Sequence, residues 1–136
     1  MRVIVCLDDN GGMLFNCRRQ SRDRVVVDDI LSVVGEKRLY IAPFSEKLFA
    51  ERSDKVTVSE DMLFEAEADQ YCFVEKDSLS ECSGRIEEMV IYRWNRVYPA
   101  DLFLDVTPER IGLSLFSTEE LTGYSHEKIT KEIFKK

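Results

Sequence analysis

The run Arg2 to Leu7 (RVIVCL) is nearly continuous in apolar residues, most of them β-branched. A half-buried strand alternates apolar and polar side chains, whereas an uninterrupted apolar run suits a strand covered on both faces. Asp8-Asp9-Asn10-Gly11-Gly12 then ends the run with strong turn-forming chemistry.

Val27, Ile30, Leu31 and Val34 follow at the spacing of one helix face, with Ser21 or Asp23 as the cap and Gly35 as the stop. Lys37–Ala42 reads as a second strand ended by Pro43, and Ser45 as the cap of a short helix reaching about Arg52. Val56 and Val58 mark a brief strand, an acidic, weakly helical stretch starts near Ser59, and Gln70–Glu75 is the next strand. Ser78 with Glu81 has capping-box spacing, predicting a short helix that stops at Gly84. Glu88–Trp94, Leu102–Val106 and Gly112–Phe116 read as closing strands. Ser117 with Glu120 predicts a second capped helix ending at Gly123, and SHEKITKEIFKK from Ser125 a terminal helix with Ile129 and Ile133 on one face.

Strand and helix alternate first, and strands joined by short turns come last. That order predicts an α/β fold, a three-layer mixed sheet whose first part is parallel and whose closing strands are antiparallel. An α+β fold is the fallback. The 136 residues have the length of one globular domain, 1–136, and 44% hydrophobic with 33% charged residues is an ordinary globular balance.

The net charge of −7 argues against generic nucleic-acid coating. It is unevenly placed: residues 36–88 hold seven basic and fourteen acidic residues, while the flanking segments are balanced. Arg18, Arg19, Arg22 and Arg24 form the opposite extreme. Apolar runs are too short for a membrane span, and MRVIVCLDD reaches two aspartates before a signal-peptide core forms, so a cytoplasmic location is expected. Cys6, Cys17, Cys72 and Cys82 make no CxxC pair and lie far from the single His126, so reduced thiols are expected and no metal site or cofactor is assigned.

Ligands of open α/β sheets sit beyond the carboxyl ends of strands, often facing a helix N-terminus. Asp8, Asp9, Asn10, Gly11 and Gly12 occupy that place after the first strand, and Arg18, Arg19 and Arg22 lie on the approach to the first helix. Glycines admit a close ligand and guanidinium groups favour carboxylate or phosphate, so these eight residues are the candidate ligand site. No GxGxxG or phosphate-loop motif is present, and a tight loop without ligand is the competing reading. His126 reads as a surface histidine at a helix start rather than part of a triad, and Tyr92, Trp94, Tyr98 and Phe103 as sheet packing. No residue is assigned a catalytic role.

Three resemblances bear on this reading. Asp8-Asp9-Asn10-Gly11 is similar to the Asp-x-Asp-Gly opening of haloacid-dehalogenase-like phosphatases, but Asn10 replaces the aspartate that would act as general acid. RVIVCLDDNGGMLFN resembles the opening of dihydrofolate reductases, which implies a related topology. No Leu-Pro-Trp follows and no Gly-Gly pair stands where cofactor phosphates would lie, so folate and NADPH chemistry is not carried over. Over both ends, LDDNGGMLFNCRRQSRDR and SHEKITKEIFKK resemble a family of short uncharacterised bacterial proteins, some labelled ribonuclease Z. Ribonuclease Z proper needs an HxHxDH cluster for two zinc ions, and one histidine implies no such activity.

Two functional expectations follow. The preferred one is a non-enzymatic interaction or regulatory module docking a protein partner or a second copy. The alternative is a small α/β protein or enzyme that binds a phosphate- or carboxylate-bearing ligand at the loop after the first strand.

Overall fold

The computed structural model describes residues 1–136. The chain runs β1 (Arg2–Leu7), β2 (Gly12–Phe15), β3 (Arg18–Arg19), α1 (Arg24–Val34), β4 (Leu39–Ile41), a kinked 3-10 segment (Pro43–Lys55), β5 (Thr57–Val58) and α2 (Met62–Glu65). It continues through β6 (Tyr71–Val74), β7 (Glu88–Arg93), β8 (Leu102–Phe103), β9 (Ser114–Leu121) and β10 (Ile129–Lys135). Seven strands form one sheet in the order β5-β4-β6-β1-β7-β10-β9, and β3-β2-β8 form a small second one.

The uninterrupted apolar run is the centre of the large sheet. β1 pairs in parallel with β6 on one edge and β7 on the other. Val3, Val5 and Leu7 enter the core on one face, with Met62, Leu79, Ile86 and Met89. Ile4 enters the core on the other, beneath Val26, Ile30 and Val34 of α1 and beside Phe49 and Phe73. Both faces are covered, as the composition of β1 requires. The fold is therefore α/β with a mixed sheet, parallel from β5 to β7 and antiparallel through β10 and β9.

The helix α1 follows its sequence pattern. Asp23 is the N-cap, accepting from the Val25 amide at 2.9 Å, and Gly35 closes the helix at φ 60° with its amide on Leu31 O. Asp29 ties the helix to the sheet, accepting from the Tyr92 hydroxyl at 2.6 Å and pairing with Lys131 at 2.9 Å. No helix is long and apolar enough to cross a membrane.

Four expectations are corrected. The terminal helix is the strand β10, and the capped helix at Ser117–Gly123 is mostly the continuation of β9. Together they form a hairpin with cross-strand pairs such as Lys128–Glu120 at 2.8 Å. Ser78 starts no α-helix, because its hydroxyl bonds the Asp105 carboxylate and Ser80 instead. The segment Gly12–Arg19, to which the sequence assigned no element, is the hairpin β2–β3, turning at Asn16 and Cys17 with φ of 53° and 60°. Leu102–Val106 contributes only the two-residue β8, which pairs with β2.

Candidate functional site

The loop after β1 is organised around one carboxylate. Asp8 is fully buried; its Oδ1 accepts from the amides of Asn10 (2.9 Å) and Gly12 (2.7 Å). Its Oδ2 accepts from the Tyr98 amide (3.1 Å) and Gln20 Nε2 (3.3 Å). The Gly11 amide bonds Asp8 O and the Asp9 amide bonds Arg96 O. Gly11 turns at φ +77°, and a Cβ on Gly12 would lie 2.6 Å from that of Ala100. All four amides from Asp9 to Gly12 are thus spent inside the protein, leaving none to cradle an anion. Asp8 to Gly12 build a turn.

The arginines divide by direction. Arg19 points inward and makes a two-pronged ion pair with buried Glu75, its Nη2 lying 2.6 Å from Oε1. Ser45 donates to the same oxygen at 2.7 Å, so the expected cap of the Pro43 segment is used here instead. Arg18 and Arg22 stay exposed and line a groove of about 410 Å³ with Arg19, Cys17, Ser21, Phe44 and Lys47. Asn10 and Gly11 face a different cleft, of about 180 Å³, beside Arg93 and Phe103. The eight candidate residues are therefore not brought to one cavity.

A third cluster was missed by sequence reasoning. His126 is corrected from a surface residue to a buried one, in the connection between β9 and β10, with its ring stacked on Trp94 at 4.7 Å between centroids. Its Nδ1 lies 2.9 Å from Asp23 Oδ2, and its Nε2 lies 2.8 Å from Ser21 Oγ. Asp23 is 4% exposed and also accepts from the amides of Val25, Tyr124 and Ser125. Burial pushes its carboxyl up, but the Tyr124 amide, His126 and the other donors outweigh that and hold it well below the usual carboxylate range. The contacts join residues 103 and 105 positions apart, so no local spacing signals them.

Asp8 is held below its ordinary value in the same way: burial raises it, and the Gly12, Tyr98 and Asn10 amides with Gln20 more than offset the rise. Both aspartates then bind protons less readily folded than unfolded, so the stability they contribute is complete above the unfolded value near pH ~4 and is lost as pH falls below it. Urea midpoints are expected to drop on acidification from pH 6 to pH 3, and to drop less steeply in Asp8→Asn. Equal slopes in parent and variant would refute this role for Asp8.

A parallel sheet entered through its central strand, closed by an antiparallel hairpin, with clefts at the carboxyl ends, is the architecture of α/β proteins that take small ligands there. Comparison with solved structures gives a neighbour in fold. Dihydrofolate reductase from Enterococcus faecalis, determined with NADP(H) and RAB-propyl, is similar to this chain with a TM-score of 0.69. The match covers 98% of this chain and 94% of that one at 9% identity, a likeness of fold. No protein-family model matches the sequence, and a search of curated proteins finds no relative. The expectation of a non-enzymatic interaction module is corrected by this likeness, which runs from end to end of the chain and is to the fold of a dihydrofolate reductase.

Proposed function

We propose that the protein binds a small phosphate- or carboxylate-bearing molecule in the groove between β3, the start of α1 and the Pro43–Lys55 segment. One observation carries the reading: Arg18, Arg22 and Lys47 line that groove with no carboxylate in its wall, in a chain of net charge −7. None of the three is in an ion pair, whereas Arg19, Arg52 and Arg93 all are. Guanidinium pairs favour such anions. The ligand position thus moves from Asp8–Gly12 to the arginines that follow. With four free cysteines, a reducing cytoplasmic setting belongs to the same reading.

NADP(H), held by the structural neighbour, does not fit these residues. A dinucleotide needs a glycine-rich turn and a helix N-terminus for its pyrophosphate. After β6 this chain has Glu75-Lys76-Asp77-Ser78, with no glycine before Gly84 and only a three-residue 3-10 turn at Ser83–Arg85. The adjacent cleft of about 280 Å³ is lined by Glu60, Asp61, Asp77 and Glu81 without a cation.

Thermal unfolding with inorganic phosphate, tripolyphosphate, citrate or NADPH tests the proposal. Tripolyphosphate or citrate is expected to raise Tm by about 2–6 °C, and the Arg18→Ala/Arg22→Ala double variant to abolish the rise. NADPH is expected to do no more than tripolyphosphate. No shift with any anion, or an equal shift in the double variant, would overturn the reading.

A further inference from the structure

We propose that Ser21, His126 and Asp23 form a nucleophile, a general base and its orienting carboxylate, and that the protein hydrolyses carboxylic esters bearing an anionic group. The anion preference rests on the binding groove proposed above; the three-residue chemistry does not.

The geometry is that of an activated hydroxyl. Ser21 Oγ lies 2.8 Å from His126 Nε2, and His126 Nδ1 lies 2.9 Å from Asp23 Oδ2. A buried, ionised Asp23 fixes the proton on Nδ1, leaving the Nε2 lone pair to accept from Ser21. The amides of Val25, Tyr124 and Ser125 hold the carboxylate in place, and stacking on Trp94 holds the imidazole. Gly123 is required for this approach: a Cβ there would stand 2.7 Å from both Asp23 Oδ2 and His126 O. The nucleophile is also reachable. Ser21 is half-buried and lines both the narrow cavity in front of Trp94 and the open groove of Arg18, Arg22 and Lys47. The amides of Ser21 and Arg22 donate to no acceptor in the chain, which leaves N–H donors beside the nucleophile for a developing oxyanion.

The steps balance without a cofactor. Ser21 Oγ attacks the ester carbonyl carbon as its proton passes to His126 Nε2. The carbon–oxygen bond to the alcohol breaks, Nε2 returns the proton to the departing oxygen, and an acyl-Ser21 ester remains. Water then gives a proton to Nε2 and attacks the acyl carbon. Ser21 Oγ leaves with that proton, releasing a carboxylic acid. Asp23 is a positioning residue throughout and stays ionised.

The intact protein is treated with a fluorophosphonate probe and assayed on the p-nitrophenyl monoester of succinate against p-nitrophenyl acetate. Label is expected at Ser21 alone. Ser21→Ala is expected to lose the label and at least about a hundredfold in kcat/KM. In the parent kcat/KM is expected to rise with pH, and His126→Gln, checked for folding by circular dichroism, is expected to lose that rise. The succinate ester is expected to be preferred at least about tenfold, the preference shrinking in Arg22→Ala. An unlabelled Ser21 together with equal rates in parent and Ser21→Ala would overturn the hydrolase assignment, even if citrate still stabilises the protein through Arg18 and Arg22. Label at Ser21 without preference for the anionic ester would uphold the triad and overturn the groove's part in substrate choice.

Discussion

Arg19→Ala is expected to lower the unfolding free energy by about 3 kcal/mol, with Tm falling by about 10 °C. The cause is the carboxylate left behind. Glu75 is buried at the end of β6, and without Arg19 its only remaining partner is the Ser45 hydroxyl at 2.7 Å. An ion pair taken out of water contributes little net stability, but half of one is costly. Arg19 is itself one-fifth exposed, which puts the figure at the low end for broken buried pairs. Glu75→Gln removes the charge, so the double variant Arg19→Ala/Glu75→Gln is expected to recover most of the loss. Urea unfolding of the four proteins gives the coupling directly, and simple additivity of the two changes would show that the pair does not act as one. The same variants separate structure from binding, because Arg19 is not one of the free cations of the groove.

Trp94→Ala is expected to cost about 3–5 kcal/mol and to remove the esterase activity proposed above. Trp94 is 4% exposed at the end of β7, with its amide on Leu7 O and its ring against His126. Truncation leaves a void beside Cys6 and Glu75 and frees the imidazole to turn away from Ser21. Trp94→Phe keeps a ring to stack on and is expected to lose about 1 kcal/mol with most of the activity retained. Trp94 is the only tryptophan, so unfolding is followed by far-ultraviolet circular dichroism. A loss below about 1 kcal/mol for the alanine variant would show that the site does not lean on this side chain.

The parallel half of the sheet was readable because its signals are local. β1, β4, β6, β7 and α1 each carry an apolar pattern and a stop signal inside their own segment. The C-terminal hairpin was misread for a definite reason. Ile129 and Ile133 are four apart, and four residues return to the same side both in a helix and in a strand of period two. The Ser117–Glu120 spacing likewise fits a capping box, but Thr118 and Glu120 pair with Glu132 and Thr130 across β9–β10. The site was half legible. The arginine cluster stood out by charge density; of its members Arg18 and Arg22 are exposed and unpaired beside the groove, whereas Arg19 is paired with Glu75. Asp8–Gly12 looked like a ligand loop because glycine and aspartate serve turns and phosphates alike. Which of the two they serve is decided by Tyr98, Gln20 and Arg96, up to 90 positions away. Ser21 and Asp23 were noticed only as helix caps, and nothing near them in the chain announces His126.

The central position of β1 sets a timetable for synthesis. Arg2 is matched with Tyr71 on one edge and Glu88 on the other, and Ser21 meets His126 only across 105 residues. At ribosomal speeds of about 5–20 residues per second, a nascent β1 waits on the order of ten seconds with both edges unpaired. The imidazole of His126 emerges later still. A nearly continuous apolar strand is thus the one exposed longest during translation. Codon-level slowing ahead of β6 would lengthen that exposure, whereas the same slowing after β7 would fall on a chain whose core strand is already enclosed.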